Sequence, residues 1–175
     1  PKVFLMTVNA GAIPPDHWTQ DREVGGGRIV GEACHFVDLL RFLADAEITD
    51  CCAMSVGRKS GRDITEDKAS FTLSFAHGSM GTIHYLANGH NSYSKERLEV
   101  FCGGRILQFY NFRCLTGFCW PGFGKMKLWR QDKGQKACAA AFVKAIGEGS
   151  ESLIPFDEIM EVGRVTIDVA ERLRD

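Results

Sequence analysis

Gly25-Gly26-Gly27-Arg28-Ile29-Val30-Gly31-Glu32-Ala33-Cys34-His35-Phe36-Val37-Asp38-Leu39-Leu40 is the stretch on which the reading of this chain turns. Three glycines precede an amphipathic run. At about 100° per residue, Ile29, Ala33, Phe36, Val37, Leu40 and Leu43 form one stripe, which predicts a helix with that side toward the core. Arg28, Glu32, His35 and Leu39 follow an adjacent face. Asp38 lies nearly opposite the apolar stripe. Gly31 sits one turn before His35. A glycine in a helix interior costs about 1 kcal/mol relative to alanine. Either a closely packed strand or room for a ligand is expected there.

The glycines do not make a phosphate cradle. A dinucleotide fingerprint needs G-x-G-x-x-G between a strand and a helix, and Val30 stands where the third glycine belongs. No Gly-Lys-Ser or Gly-Lys-Thr occurs either. A flexible helix entrance or a close backbone approach remains.

The surrounding chain predicts an α+β domain. Residues 2–9, 48–58, 70–76 and 80–87 read as strands, and residues 10–24 as a loop holding Pro14-Pro15, His17 and Trp18. Strands 97–102 and 105–109 flank Gly103-Gly104, a type I′ hairpin signal. Residues 112–118 and 125–130 suggest a further pair around Pro121-Gly122. A helix over 135–146 presents Ala139, Phe142, Val143 and Ile146 as its buried face, with Gly147 as the stop. Pro155 opens the last helix, with Asp157 and Glu158 in its first turn. Ile159, Val162, Thr166, Val169 and Leu173 form its stripe. Such an order implies a mainly antiparallel mixed sheet with helices packed on one face. The other face must be solvated, covered or paired with another subunit.

Composition narrows the function classes. The 175 residues suit one domain with a substantial core. Lys plus Arg number 21 and Asp plus Glu 22, which leaves no electrostatic case for nucleic acid or an anionic membrane. No apolar run approaches a membrane span. Pro1-Lys2-Val3-Phe4-Leu5-Met6 lacks signal-peptide architecture and runs straight into a strand, as in a piece of a longer chain. Cys34, Cys51, Cys52, Cys102, Cys114, Cys119 and Cys138 include no C-x-x-C pair. They read as buried free thiols of a reducing, cytoplasmic compartment rather than as a metal site. His77, His84 and His90 have no carboxylate at ligand spacing.

The motif helix resembles the C-terminal domain of the Gfo/Idh/MocA oxidoreductases. That family shows a glycine pair or triple, then Asp-x-Gly-x-His-x-x-Asp on a helix. Gly25 to Gly27, His35 and Asp38 match it; Gly31 stands for the aspartate and Ala33 for the glycine. The variant Gly-Glu-x-Cys-His-Phe-x-Asp-Leu is similar to a branch found in two-part dehydrogenases. The resemblance runs from Val8-Asn9-Ala10-Gly11 to the helix after Pro155.

The resemblance implies that residues 1–175 form a substrate-binding and oligomerisation domain with a glyceraldehyde-3-phosphate-dehydrogenase-like fold. A Rossmann domain carrying a Glu-Lys-Pro motif normally precedes it and is absent from this chain. NAD or NADP would be bound mainly there, so this chain alone would bind little dinucleotide and be inactive. The substrate would be a sugar, polyol or sugar nucleotide, and the protein a homo-oligomer through the open sheet face. His35 becomes the acid/base candidate, since imidazole exchanges a proton near neutral pH. Arg28 and Glu32 become substrate ligands, or simply an exposed i, i+4 ion pair. Asn9, at the end of the first strand, and Trp18, in a lid or pocket wall, complete the candidate set. Asp38 is expected to be structural, paired with Arg41 or holding a loop. Two other readings compete. One is a ligand-binding or dimerisation domain that has lost its chemistry. The other is an aldehyde dehydrogenase with Cys34 as its nucleophile.

Overall fold

The first strand organises the sheet. In the computed structural model, which describes residues 1–57 and 64–174, β1 (Val3–Asn9) buries Phe4, Met6 and Val8 completely and leaves Val3 and Leu5 partly open. This period of two gives the sheet one core face and one open face. β1 lies between β4 (Met80–Leu86), which runs parallel to it, and β5 (Glu96–Cys102), which runs antiparallel. β2 (Ile48–Ser55) and β3 (Lys68–Phe75) extend one side; β6 (Arg105–Tyr110), β7 (Cys114–Phe118) and β8 (Lys125–Lys127) extend the other. The order of the eight strands is β2-β3-β4-β1-β5-β6-β7-β8. Every pairing but β1 with β4 is antiparallel among the described residues, as the sequence predicts.

Two helices cover the core face. A π-helical turn over Ile29–Ala33 leads into α1 (Cys34–Ala44). α3 (Phe156–Arg172) packs beside it and against β2. Ile29, Ala33, Phe36, Val37 and Leu40 of the motif meet Val162, Val165, Val169 and Ala170 of α3 and the inward residues of β1, β3 and β4 in one core. Leu40 presses on the sheet so closely that a Cβ at Gly81 would lie 2.5 Å from its Cδ2. Full burial of a leucine side chain contributes about 1.5–3 kcal/mol. On α3, Thr166 and Leu173 are buried as expected, while Ile159 stays about half exposed.

Several expectations need correction. Arg41 turns toward α3, where Glu161 meets it at 3.1 Å and Glu158 at 3.5 Å. Asp38, one turn earlier, is exposed and is not its partner. α2 (Gln135–Glu148) ends on Gly149 at φ 61°, beyond Gly147. Its apolar stripe is not buried: Phe142, Val143 and Ile146 are each more than 60% exposed, at 62%, 68% and 65%. The pattern identifies an apolar face, but no described element of this chain covers it. Strand 112–118 begins only at Cys114, because Asn111 and Phe112 turn at positive φ (52° and 50°). Strand 125–130 shortens to β8, and strand 48–58 ends at Ser55, with Arg58 outside the described residues. Of the seven free thiols only Cys51 is buried; Cys34, Cys102 and Cys114 are half-buried, and Cys52, Cys119 and Cys138 exposed. Cys52 lies on the open side of β2, Cys119 follows β7, and Cys138 sits on the uncovered α2. No described helix is long and apolar enough to cross a membrane.

Candidate active site at the end of β1

The chain leaves β1 through Asn9, Ala10 and Gly11, and the motif's first turn returns above that exit. Arg28 locks the two together. Its guanidinium donates to the carbonyls of Gly11 (2.6 Å) and Ala10 (3.3 Å). It also grips Glu32, with Nε and Nη2 at 3.2 and 3.1 Å from Oε1 and Nη2 at 3.2 Å from Oε2. Beneath it lies the Tyr85 ring of β4, 5.4 Å from the guanidinium carbon. The Tyr85 hydroxyl donates to Glu32 Oε2 at 2.8 Å. Burial pushes the Tyr85 phenol well above its ordinary pKa, and the bond to Glu32 adds to the rise while Arg28 opposes it. The phenol therefore remains a hydrogen-bond donor throughout the neutral range.

Burial separates roles that spacing alone had joined. The Arg28 side chain is 2% exposed and the Glu32 side chain 38%. Arg28 is enclosed by its partners, and Glu32 is the member of the pair presented outward. The i, i+4 pair is thus neither freely exposed nor available as two equal ligands. His35 is exposed. Gly31, one turn before it, is also exposed, and an added Cβ would meet nothing nearer than the Gly25 carbonyl at 4.0 Å. Among the described residues no strand packs there, and the position faces open space. The π-helical turn places Gly31 and Glu32 at this spot. Such turns recur at functional sites.

Asn9 works on a neighbouring loop. It is 9% exposed, and its Nδ2 donates to the carbonyls of His90 (2.8 Å) and Tyr93 (3.2 Å). A Cβ on Gly89 would fall 1.9 Å from Asn9 Oδ1, so the loop closes over the amide only because that residue is glycine. Trp18 is 62% exposed in a single 3-10 turn, Trp18–Gln20, with its ring 5.9 Å from that of His17. Two clefts flank the exit of β1. One, of 510 Å³, lies between Asn9, Tyr93, Lys95 and Lys133. The other, of 430 Å³, lies between Ile13, Gln20, Asp67 and Asn88. Both are of small-molecule size.

The glycine entrance carries an acid. A Cβ on Gly27 would meet Glu66 Oε1 at 2.6 Å. The acid is not alone: Arg174 Nε meets its Oε2 at 2.8 Å and Arg22 lies 3.7 Å from it.

Residues 3–108 match the GFO/IDH/MocA C-terminal domain. The chain belongs to that family. Solved structures share its fold. A levoglucosan dehydrogenase in complex with NADH and levoglucosan superposes with a TM-score of 0.78 at 20% identity, over 98% of this chain and 56% of its own. An aldose-aldose oxidoreductase from Caulobacter crescentus complexed with glycerol gives 0.76 at 16% identity, over 98% and 53%. A UDP-N-acetylglucosamine 3-dehydrogenase from Acidithiobacillus ferrooxidans gives 0.74 at 15%, over 99% and 54%. The chain spans about half the length of these proteins. Comparison with curated proteins gives no match.

Within this family fold, Cys34 is poorly suited to nucleophilic chemistry. Burial, the largest influence, raises its thiol pKa above the ordinary value, with Asp38 and Glu32 adding to the rise. The nucleophile is the thiolate. Alkylation by iodoacetamide at neutral pH is therefore expected to be about tenfold slower at Cys34 than at exposed Cys52 or Cys119. Faster labelling at Cys34, read by peptide mass spectrometry, would restore the aldehyde dehydrogenase reading.

Three residues of the site escaped sequence reasoning. Tyr85 carried a usable signal, because it alternates with Ile83 on the inward face of β4 and a buried phenol requires a partner. Glu66 and Arg174 carried none: they meet at 2.8 Å across 108 positions of sequence.

Proposed function

We propose that this chain is the substrate-binding half of an NAD(P)-dependent oxidoreductase that acts on a sugar, polyol or sugar nucleotide. The observation that carries the reading is the outward face of the motif helix. There Glu32 and His35 flank the open space at Gly31, and Glu32 is held from below by Arg28 and Tyr85. Levoglucosan dehydrogenase, with the same fold, is solved with both NADH and its sugar, which supports the substrate and cofactor class. The dinucleotide would be held outside this chain, by a Rossmann domain, since Val30 stands where a dinucleotide fingerprint needs its third glycine.

The chain's own residues would orient the substrate and move a proton. Oxidising a carbinol requires that its hydroxyl lose a proton, and His35, exposed on the same helix, would accept it. Glu32 accepts hydrogen bonds from neighbouring hydroxyls, while Arg28 and Tyr85 keep its carboxylate from swinging away. Asn9 fixes the loop beside the larger cleft, and Trp18 offers a flat wall. Pairing through the open sheet face, where Val3, Leu5 and Phe101 lie exposed, would give a homo-oligomer, in the cytoplasm.

The test uses the full-length protein with NAD⁺ or NADP⁺ and a panel of sugars, polyols and sugar nucleotides. Formation of reduced nicotinamide with one of these classes is expected. Saturable sugar binding with no reduction under any condition would instead identify a binding domain that has lost its chemistry.

A further inference from the structure

We infer that Glu66 and Arg174 are positioning residues, which fix the glycine entrance of the motif helix and, through it, the Arg28–Glu32 pair. The inference rests on the functional reading above for its kinetic consequence, but its geometry stands independently. Glu66 lies in the turn before β3 and is 6% exposed. Its Oε2 accepts Arg174 Nε at 2.8 Å and faces Arg22 Nη2 at 3.7 Å. Arg174 Nη2 also donates to the carbonyl of Gly26 at 2.5 Å. Leu173, buried beside it, ties this arginine to the core.

The clasp closes on the two most adaptable residues of the motif. Gly26 and Gly27 have φ of 71° and 85°, values that other residues rarely adopt. The Gly27 Cα has no room for a Cβ, which would lie 2.6 Å from Glu66 Oε1 and 3.0 Å from Arg174 Nη2. The first turn of the helix hangs from this residue, because Gly31 N–H donates to the Gly27 carbonyl at 3.0 Å. That turn contains Arg28, Gly31 and Glu32. The tilt of the Gly27 peptide therefore sets where the Arg28 guanidinium points, and with it the Glu32 carboxylate. Without the clasp the glycine pair regains its backbone freedom. The site would then be assembled only part of the time, and apparent affinity falls by that fraction.

The experiment compares Arg174→Ala, Arg174→Lys and Glu66→Gln with the unaltered full-length protein. Kinetics with the sugar substrate are paired with amide hydrogen exchange and thermal melting. Arg174→Ala is expected to raise KM by about tenfold with kcat within about twofold. Exchange should accelerate at residues 26–32, while β1 and α3 keep their protection. Arg174→Lys, which retains the charge, should recover part of the KM. An unchanged KM overturns the inference. So does exchange that rises equally across the whole domain with a lower melting temperature, since a merely structural residue would do that. If the protein oxidises no substrate, the functional reading fails by itself, and the confinement of the exchange change to residues 26–32 still decides the clasp.

Discussion

His35→Ala in the full-length protein is expected to lower kcat by about 100-fold or more, the usual scale for losing a positioned acid/base. That factor corresponds to about 2.7 kcal/mol of transition-state stabilisation. The side chain is exposed and lies outside the core cluster, so the melting temperature should hardly move. KM should also change little, because Glu32 and the loop fixed by Asn9 remain in place. Near-normal turnover would return His35 to the class of surface histidines.

Arg28→Met should act the other way, on stability first. Its 2% exposed guanidinium serves two carbonyls and a carboxylate, and stacks on Tyr85. Methionine fills much of the volume but supplies no donor. The Ala10 and Gly11 carbonyls then lose their partner, and Glu32 loses its counter-charge. Breaking a buried ion pair costs about 3–5 kcal/mol. Glu32 is 38% exposed, so water can solvate it in part, and the lower end, about 3 kcal/mol, is expected. Urea denaturation of the variant measures this directly. A loss below about 1 kcal/mol, the scale of a surface ion pair, would show that the pair behaves as an exposed one. In the folded variant KM should rise as well, because Glu32 is no longer held.

The two variants separate what the motif's spacing had merged. Arg28, Glu32 and His35 share a face in sequence. In the structure the first is enclosed, the second half-presented and the third open. The π-helical turn and the return of the chain over β1 create this gradient. Neither appears in a wheel drawn at constant angle, because a π turn holds more residues than an α turn and the Ala10 and Gly11 carbonyls and Tyr85 are remote in sequence. Gly31 makes the same point. Its cost in a helix was legible, whereas the choice between packing and open space depended on what else reached that spot.

By itself the sequence determined the first strand, the apolar stripes of α1 and α3, the Gly103-Gly104 hairpin and the family motif around His35. These are local periodicities and turn chemistries, set by neighbours within a few residues. Only the tertiary structure decided that Arg41 binds Glu161 rather than Asp38, that the stripe of α2 stays uncovered, that Tyr85 supports Glu32, and that Glu66 and Arg174 close on Gly26 and Gly27. Each of those depends on which distant surfaces the sheet order brings together. Pairwise contact between side chains far apart in the chain leaves no periodic trace in a single sequence.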